Sequence, residues 1–130
     1  MSDLGHVLDA SVVLAVLLDE PQAERIRGFL ANSLIGAVNL SEVVAKLQER
    51  GMPDGAIDRA LGHLDLEIIP FDAAQAMAAG KLRARTRGLG LSLGDRACLA
   101  LALTRSLPAV TTDRGWAGLD AGVTVIVARD

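Results

Sequence analysis

Short apolar runs alternate with stretches in which apolar residues recur every three or four positions. Val7-Leu8 is a brief apolar run that predicts a strand leading into Asp9. Ser11 to about Asp19 reads as a helix, apolar nearly all round from Val12 through Leu18. Pro21, suited to a helix's first turn, opens a second reaching about Ala31. Leu34 to Val38 predicts the next strand. Asn39 reads as the cap of a helix to Arg50, stopped by Gly51, and Pro53 starts another to about Leu64. Leu66 to Ile69 is a third strand, closed by Pro70. Asp72 caps an alanine-rich helix to about Arg87, where Gly88-Leu89-Gly90 breaks the chain. Ser92 caps a helix to Ser106, Ala109 to Thr111 is a fourth strand, and a turn around Trp116 leads to a fifth, Val123 to Val127.

Strands that alternate with helices, each short and apolar on both faces, predict an α/β fold: a mostly parallel five-stranded sheet covered by helices on both sides. In such sheets ligands collect beyond the carboxyl ends of the strands, where the strand order reverses. Asp9 follows the first strand and Asp113 the fourth, so residues distant in sequence are expected to meet there.

Composition sets bounds on this picture. The 130 residues fit one domain, 1–130, without repeats or a low-complexity linker. Half the chain is apolar (51%) and its charges are mixed, as in a globular protein. No apolar run approaches the roughly 20 residues of a membrane span. The stretch Met1-Ser2-Asp3-Leu4-Gly5-His6 lacks the positive flank of a secretory signal. The single Cys98 admits no intrachain disulfide and suits a reducing cytoplasm; with no adjacent histidine to activate it, it reads as a small core residue. A net charge of −3 argues against a general nucleic-acid-coating protein, although Lys81, Arg83, Arg85, Arg87 and Arg96 make one stretch locally basic. These residues are candidates for drawing in an RNA backbone, or a solvated helix face. With no Tyr, and Phe29, Phe71 and Trp116 the only aromatics, a base-stacking platform is not expected.

Four acids carry the candidate chemistry. Asp9 interrupts an apolar run, and a buried carboxylate needs a metal, a cation or backbone N–H groups as partner; a plain helix-capping acid is the competing reading. Glu42 lies three residues after Asn39, the spacing of a capping box, and four before Lys46, the spacing of an ion pair. Asp95 falls in the first turn of a helix that is apolar almost all round and therefore expected to be central. Asp113, before Arg114-Gly115, also fits a plain turn. Each sits at a strand-to-helix junction or in a first helical turn, places that the fold gathers at one sheet edge. Carboxylates held close repel unless a cation neutralises them, and oxygen ligands suit Mg²⁺ or Mn²⁺. Zn²⁺ is disfavoured, because His6, His63 and Cys98 show no ligand-like spacing.

These residues resemble the PIN-domain family, specifically the toxins of VapBC toxin–antitoxin modules. The resemblance spans essentially the whole chain. It rests on Val7-Leu8-Asp9-Ala10-Ser11, on Ala37 to Val44 with Asn39 and Glu42, on Gly90 to Ala102 with Asp95, and on Thr111-Thr112-Asp113-Arg114. It implies a three-layer α/β/α PIN-like fold and a metal-dependent endoribonuclease, the toxin of a type II toxin–antitoxin system, using one or two Mg²⁺ (or Mn²⁺) ions. By similarity, Asp9, Glu42, Asp95 and Asp113 form the catalytic and metal-binding cluster. Ser11 and Thr111 orient ligands or water, and Asn39 supports them from behind. A cognate antitoxin, an RNA substrate and a homodimer are the implied partners, for which the apolar first helix offers a surface unless it is simply core. The competing readings are a catalytically silent PIN-like binding module and a haloacid-dehalogenase-like phosphatase. The latter wants a second Asp where Ser11 stands. A receiver-like module lacks both its acidic pair and its late lysine.

Overall fold

Adjacent residues of each strand serve different cores. In a computed structural model of the chain, which describes residues 5–129, Val7, Leu34, Ala109 and Val125 pack into one apolar cluster, and Leu8, Ile35, Val110 and Ile126 into another. Side chains alternate across a strand, so these clusters lie on opposite faces of one sheet. The first cluster takes its cover from α5 (Ala73–Arg85) and α6 (Leu93–Arg105). The second is covered by α1 (Ala10–Leu17), α2 (Ala23–Arg27), α3 (Ala37–Glu49) and α4 (Asp54–Leu64). The result is the expected three-layer α/β/α arrangement. Of the amino-terminal stretch read for a signal, residues 1–4 lie outside the described residues, as does residue 130.

The sheet contains β1 (Val7–Leu8), β2 (Leu34–Gly36), β3 (Glu67–Ile69), β4 (Ala109–Thr111) and β5 (Val125–Val127), in the order β3-β2-β1-β4-β5. All four pairings are parallel, so "mostly parallel" becomes wholly parallel; the register sets Val7 beside Leu34 and Ala109. The chain moves outward from β1 through β2 and β3, then returns to place β4 on the other side of β1. The strand order therefore reverses at β1, and the crevice beyond the ends of β1 and β4 is where such sheets take ligands.

Several boundaries depart from the sequence reading. Strand β2 ends at Gly36 and α3 begins at Ala37, so Gly36, not Asn39, is the cap. Asn39 lies inside the first turn, fully buried, because its amide has partners on another helix. The second helix is confined to Ala23–Arg27; Pro21 sits in the turn before it, where Ala23 N–H already bonds to Glu20 O. Helix α5 stops at Arg85, and residues 87–89 form a separate 3₁₀ turn ending at Gly90, whose φ of +62° favours glycine. Helix α6 is buried from Ala97 through Ala102, as its apolar sequence predicts. No helix of the described residues is long and apolar enough to cross a membrane.

Candidate active site at the carboxyl edge of the sheet

Asp9 follows the last residue of β1 and is the N-cap of α1, yet its side chain makes no capping hydrogen bond. The hydroxyls of Ser11 and Thr111 donate to its Oδ2 instead, at 2.8 and 3.0 Å. Thr111 ends β4, so this pair of bonds closes the crevice where the strand order reverses. Asp9 is only 7% exposed. Burial pushes its pKa up, the two hydroxyls pull it back, the Asp95 charge raises it again, and the Ala10 N–H lowers it.

Asp95 arrives from the other face of the sheet, in the first turn of α6. Ser92 and Asp95 form a reciprocal capping box: Ser92 N–H donates to Asp95 Oδ2 at 3.0 Å, and Asp95 N–H donates to Ser92 Oγ at 3.1 Å. The box fixes the carboxylate's direction at the helix end, where the dipole favours negative charge.

Glu42 comes from α3. Neither competing reading describes it, because Lys46 pairs with Glu49 at 3.7 Å and the α3 cap lies at Gly36. Instead, the buried Asn39 amide donates to Glu42 Oε1 at 3.0 Å and to Gly94 O of α6 at 3.1 Å, tying α3 to α6. Loss of solvent raises the Glu42 pKa, Asn39 pulls against it, and the charges of Asp9 and Asp95 raise it further. Gly94 is the residue that sequence reasoning missed. A Cβ there would come within 2.6 Å of Glu42 Cδ, so glycine is what lets this carboxylate lie against α6 beside Asp95. The available signal was a glycine inside a helical turn, which costs about 0.5–1 kcal/mol relative to alanine and so calls for a reason.

Asp113 is exposed and accepts from Gly115 N–H at 2.8 Å, while its own N–H donates to Thr111 Oγ1 at 3.1 Å. It therefore shares Thr111 with Asp9. Beneath the acids, the fully buried Cys98 thiol is pushed well up by burial and then by Asp9, Asp95 and Glu42, a measure of how much negative charge collects here.

Among the described residues, no three His, Cys, Asp or Glu side chains are already gathered into a metal cage. His63 is exposed and touches Arg59 O at the end of α4, and the His6 ring packs edge-on to Phe29, so neither joins the acids. The donors at the rim are all oxygens, and their mutual charge lifts both Asp9 and Glu42. That donor set fits a hard divalent cation that keeps part of its water shell, as Mg²⁺ does. The basic residues divide. Arg96 donates from Nη1 to Ala79 O at 3.0 Å, bracing α6 against α5, whereas Lys81, Arg83, Arg85 and Arg87 are exposed.

Residues 6–122 match the PIN domain. The chain belongs to the PIN-domain family, and within it to the VapC ribonucleases. It is 32% identical over 111 residues to Ribonuclease VapC from Mycolicibacterium smegmatis, a stretch covering 76% of this chain and 82% of that protein. Its fold is that of a chain in a toxin–antitoxin complex from Klebsiella pneumoniae, with a TM-score of 0.75 at 19% identity over 97% of this chain and 99% of that one. It is also similar to a chain of VapBC-5 from Mycobacterium tuberculosis, with a TM-score of 0.62 at 25% identity over 98% of this chain and 99% of the other.

Proposed function

We propose that the chain, acting as one PIN domain, is a divalent-metal-dependent endoribonuclease. It is the toxin of a type II toxin–antitoxin pair, active in the cytoplasm and neutralised by a cognate antitoxin that covers its acidic rim. The observation that carries this reading is the seating of the Glu42 carboxylate of α3 against α6 one residue from Asp95, through Asn39 and the bare Gly94, at the sheet edge where Ser11 and Thr111 hold the buried Asp9. The similar chains solved in VapBC and toxin–antitoxin complexes support an antitoxin as partner.

Asp9, Glu42 and Asp95 would hold Mg²⁺ or Mn²⁺, with Asp113 the fourth acid at the outer side. When bound, the ion lowers the pKa of a water and offsets the charge that builds on the phosphate. Asp9 is kept in place by the hydroxyls of Ser11 and Thr111, Glu42 by Asn39, and Asp95 by its capping box with Ser92. Carboxylates fixed in this way would lose little freedom on taking up the ion. Incubating the purified chain with total cellular RNA, with Mg²⁺ or with EDTA, tests the reading. Internal cleavage that needs the metal and is lost in Asp95→Asn supports it, and cleavage indifferent to both overturns it.

A further inference from the structure

The rim has a second, basic part. Arg114 follows β4 and Arg129 follows β5, so both stand at the same carboxyl edge as Asp9. With Thr112 and the turn joining α1 to α2 (Glu20, Pro21, Gln22), they line an open cleft of about 350 Å³. We propose that this cleft seats a phosphate of the RNA backbone beside the acidic group, an inference that rests on the ribonuclease reading above.

Position and chemistry argue for it. An acidic rim repels a polyanion, so substrate must be held by positive charge close to the reacting phosphate. Guanidinium groups suit this task because their planar forks donate to phosphate oxygens in pairs. The cleft is also wired to the acids. Arg129 Nη1 reaches Thr112 O at 3.4 Å, Thr112 N–H donates to Ser11 Oγ at 3.0 Å, and Ser11 donates to Asp9. The backbone of one residue, Thr112, and one hydroxyl therefore separate the arginine from the buried carboxylate. Glu20 is the cleft's one acid among its described lining residues, and Gln22 Nε2 donates to its Oε1 at 3.2 Å, leaving two arginines against a single carboxylate. The alternative basic set is worse placed: Lys81 and Arg85 line a groove with Met77 and Leu103, in the far half of α6 from Asp95.

The test uses Asp95→Asn to prevent cutting and a short radiolabelled single-stranded RNA of random sequence in filter binding with Mg²⁺ present. Adding Arg114→Ala and Arg129→Ala is expected to weaken binding at least about tenfold at low salt. It should also flatten the dependence of log K on log salt by about 0.7, the value for one phosphate contact on a single strand. Lysine at both positions should restore the salt slope but only part of the affinity, since charge is kept and the fork is lost. Binding and slope unchanged by the alanine pair overturn the phosphate seat while leaving the nuclease reading intact. A parent Asp95→Asn chain that binds no RNA, together with a wild-type chain that cuts none, overturns both.

Discussion

The Glu42 carboxylate rests against the backbone of Gly94, with no room for a side chain between them. Two helices from opposite faces of the sheet thereby bring an acid each to one point.

Gly94→Ala separates stability from activity. Alanine in a helix is favoured over glycine by about 0.5–1 kcal/mol, and the atoms it meets are the movable end of a glutamate. The melting temperature should hold or rise slightly, while metal-dependent RNA cleavage falls at least about tenfold as Glu42 is displaced. Parallel thermal melts and cleavage rates on the variant check both halves.

Asn39→Ala should act on both. The amide is fully buried and donates both to Glu42 of its own helix and to the Gly94 carbonyl of α6, so its loss removes the polar tie between α3 and α6. Losing the buried tie between Asn39 and Gly94 costs roughly 0.5–1.5 kcal/mol, the net worth of one hydrogen bond, readable in urea unfolding; the exposed Glu42 carboxylate is resolvated by water. Cleavage should fall with it. An unchanged unfolding midpoint would show that the tie between α3 and α6 carries no weight.

Substituting Asp95 in two ways distinguishes its helix-end work from its charge. Asp95→Asn retains an oxygen that accepts from Ser92 N–H, so the fold should hold while metal-dependent cleavage disappears. Asp95→Ala removes the bond as well, and stability should drop by a further amount of about 0.5–1.5 kcal/mol. Circular dichroism melts of the pair, beside their cleavage rates, give the comparison.

The raised pKa values of Asp9 and Glu42 fix the sign of a pH effect. Above the ordinary 3.8 and 4.5, the folded chain holds more protons at these sites than the unfolded chain. Stability contributed here is therefore lost as pH rises through the raised values, and the cost persists at neutrality. Added Mg²⁺ or Mn²⁺ binds the deprotonated acids, so it should raise the melting temperature at pH 7.5 and much less at about pH 4, within the ordinary carboxylate range. Equal shifts at the two pH values would contradict a carboxylate site.

Much of this was legible in the residues. Each strand was found because β-rich apolar runs bounded by Gly, Pro or Asp have few other uses, and β4 falls at Ala109–Thr111 as read. Ser92 and Asp72 cap their helices through side chains, which local sequence encodes. Asn39 was misplaced because its partners lie on α6, more than fifty positions away, and a local rule assigns it to the nearest backbone N–H. Gly94 was passed over for the same reason: what it makes room for belongs to another helix. Topology predicts that the ends of β1 and β4 meet and points to Asp9 and Asp113; the residue bonded to Asp9 is Thr111, which only the family resemblance implies, and Asp113 reaches it through its backbone N–H.

Trp116 is fully buried in the 3₁₀ turn that Asp113 caps, and the chain contains no tyrosine. Its ultraviolet emission thus comes from one indole, three residues from the outermost acid. Metal entering the rim is expected to alter that emission, which needs no dye to record.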